Sequence, residues 1–317
     1  MDISLLKSSL SLKTGVILLI ILLLLATLPL YGAGYPVILM SSILMYVILT
    51  VSWVMFSGST GYISLAPAAF FGVGIYVSAY LGKSLPFFVV VICGGLFSFL
   101  LALLTGALTL RLRGIYFAIF TFGLLMLISN ALLFYEIHFT GTRGRFVMVV
   151  GYNTIYYYML ALLVLLLITA HVIKNSKYGL ALLSIGQEEE AAAHTGVNVV
   201  RVKVTTFGIS AFFMGAAGSV MATKWTYIDP GIAFNPFYSF MPVLMAIFGG
   251  MGQLFGPVIG ATVFTYLEEF LITRVPELYM LIFGVVMVGA ILYLPDGVVG
   301  FIQKQWKRYS ERKHADP

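Results

Sequence analysis

Side chains that could perform chemistry are scarce in this chain of 317 residues, which is 61% hydrophobic and only 9% charged. The sequence Gly82-Lys83-Ser84 matches the last three residues of a phosphate-binding loop. Such a loop needs another glycine five residues before Gly82, and this chain has Val77 there. The single cysteine, Cys93, lies in an apolar run and can form no intramolecular disulfide. Spacings typical of metal-binding histidines or of a nucleophile elbow do not occur in the sequence. We therefore predict no catalytic residue, no metal site and no cofactor on this chain.

The densest group of charges is the stretch IGQEEEAAAHTGVNVVRVK, residues 185–203, which contains three consecutive glutamates. Good helix formers run from Gln187 to His194, and Gly196 can stop a helix. Glutamates in a first turn also complement the helix dipole. The pattern predicts a short helix outside the membrane. Such a helix is too small to fold alone, so it either meets a partner surface or lies against its own bundle as a solvated connector.

The elements that must position these residues are membrane helices. The sequence from Thr14 to Gly82 contains no charge and is long enough for three crossings of about 20 residues each. We predict an all-α polytopic membrane protein with about ten transmembrane helices, of which some, above all the short eighth, can be broken or re-entrant. The apolar runs are 14–31, 35–56, 63–81, 86–110, 115–135, 155–173, 204–223, 238–250, 253–273 and 278–295.

Basic residues predict the orientation of these spans. With the N-terminus inside, thirteen Lys and Arg residues fall in the cytoplasm, and five fall outside, namely Lys83, Arg143, Arg145, Lys224 and Arg274. This bias is the one that the positive-inside rule predicts, and the inverted protein would reverse it. We interpret the net charge of +6 as a topology signal, since no basic face suited to nucleic acid is present.

Several motifs resemble one family of transport proteins. The sequence EAAAHTG, with Glu190, Ala191, Ala192 and Gly196, matches the E-A-A-x-x-x-G loop of ATP-binding-cassette (ABC) importer permeases. GYISLAPAAFFGVGIYVSAYL, RLRGIYFAIFTFG, TGTRG and FGGMGQLFGPVIGA are similar, in this order, to the branched-chain amino acid permease family in its longer subunit type. The resemblance runs from about residue 57 to residue 300. It implies that the four named residues belong to a coupling helix, which docks into a cleft on an ATPase subunit.

The chain departs from the family pattern at two places. Family members usually read G-Q-L-S-L-G-H-A-A-F, whereas this chain has Tyr62, Ala66 and Pro67 in place of Gln, Gly and His. An outer loop that usually resembles T-G-G-S-D-G reads TGTRGR here, so that the loop loses its acidic residue and gains two basic ones, Arg143 and Arg145. These departures bear on the substrate and leave the resemblance in fold intact.

Two glycine-rich segments, SGSTGYISLAPAAFFGVG and GGMGQLFGPVIGA, predict interrupted helices. Interrupted backbone at membrane depth survives only inside protein or beside a water-filled path, although small residues also permit close helix packing. We favour packing for Gly72, Gly74 and the glycines from Gly256 to Gly260. For the polar residues both interpretations stay open, and the candidate lining of a translocation path is Ser57, Ser59, Thr60, Ser64 and Gln253.

One acidic pair, Glu268 and Glu269, lies in an apolar run that Arg274 and Glu277 follow closely. We expect this pair at the outer membrane interface rather than in a transport role. A proton or sodium relay thus has no evident carboxylate to use at the bilayer midplane.

The resemblance implies the permease subunit of an ABC importer for branched-chain or related small amino acids, in the plasma membrane of a prokaryote, with both termini cytoplasmic. Its implied partners are a homologous permease, two ATPase subunits that use ATP, and an extracytoplasmic binding protein. We expect residues 1–13 to form a cytoplasmic N-terminus, 14–300 the transmembrane permease domain with a coupling loop at 174–203, and 301–317 a basic tail. Three alternatives stay open: an ABC permease for urea, short amides or other small carboxylates, an ion-coupled secondary carrier, and a membrane-embedded enzyme.

Overall fold

The computed structural model describes residues 21–32, 34–110, 112, 114–251, 255–293 and 297. These residues are helical almost throughout. Two π-helical segments, Val54–Gly58 and Glu136–Thr140, continue α2 and α5, and strands β1 (Arg145–Phe146) and β2 (Tyr227–Ile228) pair antiparallel. The helices are α1 (Ile21–Tyr31), α2 (Tyr35–Trp53), α3 (Pro67–Leu81), α4 (Phe87–Thr109), α5 (Ile115–Tyr135), α6 (Tyr152–Lys174), α7 (Lys177–Gln187), α8 (Glu189–His194), α9 (Val199–Ala222), α10 (Pro230–Ala233), α11 (Phe237–Gly249), α12 (Phe255–Arg274) and α13 (Tyr279–Tyr293).

Seven helical segments among the described residues are long and apolar enough to cross a membrane. The predicted all-helical membrane fold is therefore confirmed. The number of ten crossings stays a prediction, because the helices at the other three predicted spans, α1, α3 and α13, have only 11, 15 and 15 described residues. The eighth predicted span is α11, which has 13 residues, contains Pro242 and ends before Gly250. The seven segments are Tyr35–Gly58, Phe87–Thr109, Ile115–Thr140, Tyr152–Lys174, Val199–Ala222, Pro230–Gly249 and Phe255–Arg274.

Glycines allow α3, α4 and α9 to form a closely packed core. A Cβ atom on Gly74 of α3 would overlap the carbonyl oxygen of Gly215 on α9. A Cβ atom on Gly94 of α4 would overlap the hydroxyl of Ser219, also on α9. Small residues of this kind let helix backbones approach in a membrane, where the hydrophobic effect does not hold helices together.

Glycines also bring α11 against α12. A Cβ atom on Gly260 would overlap the carbonyl oxygen of Met245, and one on Gly256 would overlap the backbone at the end of α11. Gly72 lies against the ring of Phe234 in the same way. The packing role predicted for these glycines and for Gly74 is confirmed.

The bundle has two ends that carry different structures. At one, which we call the α8 end, α7 and α8 connect α6 to α9. Ser176 caps α7 by accepting from the amide of Gly179 at 3.3 Å, and Asn198 caps α9 by accepting from that of Arg201 at 3.1 Å. The predicted short helix is α8, and the chain leaves it through Gly196, whose φ is +87°. The opposite end of the bundle carries β1 and β2, and we call it the β end.

Candidate translocation and coupling site

The first glycine-rich segment is an interrupted helix, as the sequence predicts. After the π-helical turn the chain bends at Gly61, whose φ of +75° favours glycine, and residues 61–66 are not helical. Pro67 then begins α3, where the amide hydrogen that proline lacks is not needed. We refer to residues 61–66 as the break.

Side chains from three helices form hydrogen bonds with backbone groups of the break that have no partner within a helix. The indole Nε1 of Trp53 donates to the carbonyl oxygen of Ser64 at 2.8 Å. The amide of Leu65 donates to Thr121 Oγ1 at 2.9 Å, and the Ser239 hydroxyl donates to the Leu65 carbonyl at 2.9 Å. An unpaired backbone group in a membrane protein costs several kcal/mol. The break is therefore fixed by α2, α5 and α11.

A narrow pocket lies beside the break. Its polar lining is Ser57, Ser64 and Ser210, which are all buried. The remaining lining is apolar or aromatic, and the pocket has no room for a water molecule. A small solute could enter only after its walls move apart. The other lining residues are Trp53, Phe56, Pro67, Phe70, Phe207 and Met214.

The predicted path residues occupy different places. Ser57 and Ser64 lie together, since the Ser64 amide donates to Ser57 Oγ at 3.4 Å. Thr60 is buried, and its hydroxyl donates to a carbonyl one turn earlier at 2.8 Å. Ser59 lines a separate cavity of about 320 Å³ between α2, α6 and α7. Gln253 lies outside the described residues.

The predicted coupling residues divide into an exposed set and a buried one. Glu190, Ala191 and Gly196 are exposed, and a partner could reach them. Ala192 is only 2% exposed and packs in a small apolar cluster with Ile185 of α7. Its side chain therefore holds α8 against its own bundle.

A polar network at the α8 end was not predicted. Lys203 Nζ donates to Glu189 Oε1 at 2.8 Å, to the Tyr62 hydroxyl at 3.1 Å and to the Leu110 carbonyl at 3.0 Å. The Tyr62 hydroxyl donates to Glu189 Oε2 at 2.6 Å. The replacement of Gln by Tyr62 in the family pattern was the one signal that could have indicated it. In the sequence, Lys203 contributed only to the charge count.

A second polar network fixes the loop after α5 at the β end. Glu136 is fully buried, accepts from the Tyr76 hydroxyl at 3.2 Å and from the Gly144 amide at 2.8 Å, and lies 3.9 Å from Arg145 Nε. The Arg145 guanidinium stacks 3.9 Å from the centre of the Tyr80 ring. The basic residue that distinguishes this loop from the family pattern is thus paired with a buried carboxylate.

The acidic pair of α12 also has contacts near the β end. The hydroxyl of Tyr35, the first residue of α2, donates to Glu269 Oε1 at 3.2 Å. Lys224, in the loop after α9, lies near enough to Glu269 to interact with its charge, and its Nζ donates to Ser42 Oγ at 3.1 Å. A position near one end of the bundle agrees with the expected interfacial location of this pair.

A multi-pass bundle with a fixed break between two of its helices and a short helix outside it has the architecture of a membrane transport protein. In the part of the chain that the structure describes, no three His, Cys, Asp or Glu residues group to hold a metal. The sequence model of the branched-chain amino acid transport system / permease component family matches residues 35–291. The chain belongs to this family, and it is a permease subunit of the ABC importer type.

Comparison with characterised proteins gives the same family. The high-affinity branched-chain amino acid transport system permease proteins LivM of Salmonella typhimurium and Escherichia coli are each 27% identical to it, over 83% of this chain and 70% of theirs. The ribose import permease protein RbsC of Haemophilus influenzae is 24% identical over 41% of this chain and 42% of its own. No solved structure matched the chain.

Proposed function

We propose that this permease moves branched-chain or related small amino acids across the plasma membrane of a prokaryote. The observation that carries the proposal is the similarity to two LivM proteins, which extends over 83% of this chain. The pocket beside the break supports it, because serine hydroxyls face apolar and aromatic walls there. Such a lining suits a solute with a polar end and an aliphatic side chain.

The path runs past the pocket beside the break. Ser57 and Ser64 are its main polar lining in this proposal, with Ser210 added from the structure. Ser59 and Thr60 remain candidate members at other levels of the path, and Gln253 remains a candidate from the sequence. The pocket is closed in the described conformation, so transport requires movement of the break relative to α9.

The energy comes from separate subunits. Glu190, Ala191 and Gly196 offer exposed atoms to an ATPase subunit, and Ala192 supports α8 from within. Two ATPase subunits, a homologous permease and an extracytoplasmic binding protein complete the importer. The α8 end faces the cytoplasm, in keeping with the split of thirteen basic residues against five.

The test is uptake by the reconstituted importer in proteoliposomes. Radiolabelled leucine, urea and a short amide are offered with the matching binding protein, with ATP inside the vesicles. We expect leucine uptake that requires ATP and stops when the nucleotide-binding lysine of the ATPase is replaced. Uptake by the permease alone, driven by an ion gradient and indifferent to the ATPase, would overturn the proposal in favour of a secondary carrier. Uptake of urea or the amide in place of leucine would overturn the substrate class alone.

A further inference from the structure

A polar network joins α8 to the break. Lys203 is 1% exposed, and its three hydrogens are all used, by Glu189, Tyr62 and the carbonyl of Leu110. One carboxylate oxygen of Glu189 accepts a hydrogen bond from Lys203, and the other accepts one from the Tyr62 hydroxyl. Three elements therefore meet at one ammonium group, namely the first turn of α8, the break and the turn after α4.

Burial makes these side chains move as a unit. A buried ammonium group is tolerated only while its hydrogens are paired, so removal of one partner leaves the Lys203 charge with an unsatisfied hydrogen. Hydrogen bonds of 2.6–3.1 Å cannot stretch by an ångström and survive. A displacement of α8 therefore either breaks the network or carries Tyr62 with it.

A second contact joins α7 to the chain just before the break. A Cβ atom on Gly186 of α7 would overlap the carbonyl oxygen of Ser59, so the backbones of these residues touch just before the break. Tyr62 precedes Ser64 by two residues, and the Ser64 carbonyl is held by Trp53. Movement at Tyr62 thus reaches the polar lining of the pocket through two residues of non-helical chain.

We propose that Tyr62, Glu189 and Lys203 are positioning residues that carry the displacement of α8 to the break. They set how much amino acid is moved for each ATP hydrolysed, and they do not bind the ATPase. This inference rests on the proposed function, in which α8 docks on an ATPase subunit.

The test uses two mild variants in the complete importer. Tyr62→Phe removes one hydroxyl and keeps the ring, which packs edge-on against Phe117 at 5.6 Å between centroids. Glu189→Gln removes the charge and keeps the shape. Glu188→Gln, a change of the exposed neighbouring glutamate, is the matched control.

Three quantities are measured for each variant: the ratio of uptake to ATP hydrolysis, the affinity for the ATPase subunits, and the thermal stability of the permease. Tyr62→Phe and Glu189→Gln should lower the ratio about tenfold at nearly unchanged affinity for the ATPase subunits. Each variant also removes a partner of the buried Lys203 charge, so its thermal midpoint should fall, and the ratio is measured well below that midpoint. The double variant should be no worse than the worse single variant, because the residues act as one unit. Glu188→Gln should retain the ratio of the unmodified importer.

The inference is overturned if both single variants keep the normal ratio. It is equally overturned if the ratio falls only in step with affinity for the ATPase, or only in step with thermal stability. Lys203→Met removes the positive charge beside the partly buried Glu189 carboxylate and disturbs all three elements at once, and it is therefore less informative than Tyr62→Phe. If the unmodified importer shows no ATP-dependent uptake, the proposed function itself fails, and this result is distinct from normal coupling in the variants.

Discussion

The indole of Trp53 spans the interruption between α2 and α3 and donates a hydrogen bond of 2.8 Å to the carbonyl oxygen of Ser64. Trp53 is 2% exposed and lies in the last turn of α2, whereas Ser64 is in the middle of the break. A single side chain thus satisfies a carbonyl that no helix can satisfy. Because water cannot replace this donor at a buried site, the bond fixes the depth of Ser64 relative to α2.

The first prediction concerns this bond. Trp53→Phe keeps an aromatic ring and removes the donor, so the Ser64 carbonyl is left unpaired. We expect the free energy of unfolding to fall by about 1–3 kcal/mol, with a lower thermal unfolding midpoint in detergent. Trp225→Phe is the control, because Trp225 is half-buried and lies outside the break. Equal midpoints for the two variants would show that the indole bond contributes nothing.

The second prediction concerns the close packing of α3, α4 and α9. Gly215→Ala should destabilise the permease by about 1–3 kcal/mol, because the new methyl group overlaps Ser98 and the backbone of α4. Gly123→Ala is the matched control, since nothing lies within 4 Å of a Cβ atom there and alanine favours the helical state. Thermal unfolding of the two variants should move in opposite directions. A rise in both midpoints would contradict the packing role of Gly215.

The third prediction is a pH dependence at Lys224, in the loop after α9. Burial lowers the pKa of this lysine below its ordinary value of 10.5, although the nearby charge of Glu269 opposes the shift. Between the lowered pKa and 10.5 the unfolded chain binds more protons than the folded one, so stability rises with pH in that window. Below the lowered pKa the cost of burying the charge is present in full.

Thermal unfolding from about pH 8 to about pH 10.5 tests this dependence. The midpoint of the unmodified permease should rise relative to that of Lys224→Met, which cannot titrate. Lys83→Met, which changes an exposed lysine, is the control for the loss of one positive charge. Identical slopes for the unmodified protein and Lys224→Met would show that Lys224 is not the group responsible.

The fourth prediction concerns orientation. In a Cys93→Ala background, a cysteine at Ser184 of α7 should resist an impermeant thiol reagent in intact cells, and one at Thr142 should react. Both positions are exposed, so access to the aqueous side decides the result. Permeabilised cells are the control, in which both cysteines should react. Reaction at Ser184 from outside intact cells would invert the topology.

Features set by local sequence could be predicted. The break follows from Gly61 and Pro67, which act on the backbone where they stand, and the end of α8 follows from Gly196. The groups that satisfy the break could not be predicted. Thr121 and Ser239 are far from Leu65 in sequence, and only the packing of α5 and α11 brings them to it.

The rotation of α8 illustrates the same limit. The sequence could not tell which of three consecutive glutamates turns towards the bundle, since neighbours on a helix differ by about 100° in direction. The contact of Ala192 with Ile185 sets that rotation, so Glu189 faces Lys203 while Glu190 is exposed. For the same reason the sequence grouped Ala191 and Ala192 together, although only Ala191 is exposed.

The last prediction tests the docking of α8 and follows from this rotation. Ala191→Trp adds a large side chain to the exposed side of α8, where a fitted cleft on an ATPase subunit would have no room for it. Overpacking of this kind costs about 1–3 kcal/mol, and about 1.4 kcal/mol suffices for a tenfold loss of affinity. Ala191→Ser retains the size of the side chain and should bind normally. Ala192→Trp should instead lower the stability of the isolated permease, because it enlarges a side chain inside the apolar cluster.

Two measurements separate these outcomes: the thermal stability of the permease alone, and its affinity for the ATPase subunits. Ala191→Trp should lower the affinity for the ATPase subunits about tenfold at normal thermal stability of the permease. Gly196→Trp should strain the backbone at the end of α8, because Gly196 has a positive φ. Normal affinity and normal ATP-dependent uptake with Ala191→Trp would show that this side of α8 does not dock. The exposed glutamates would then be no more than the solvated face of a connector, and the site of energy input would have to be sought elsewhere on the permease.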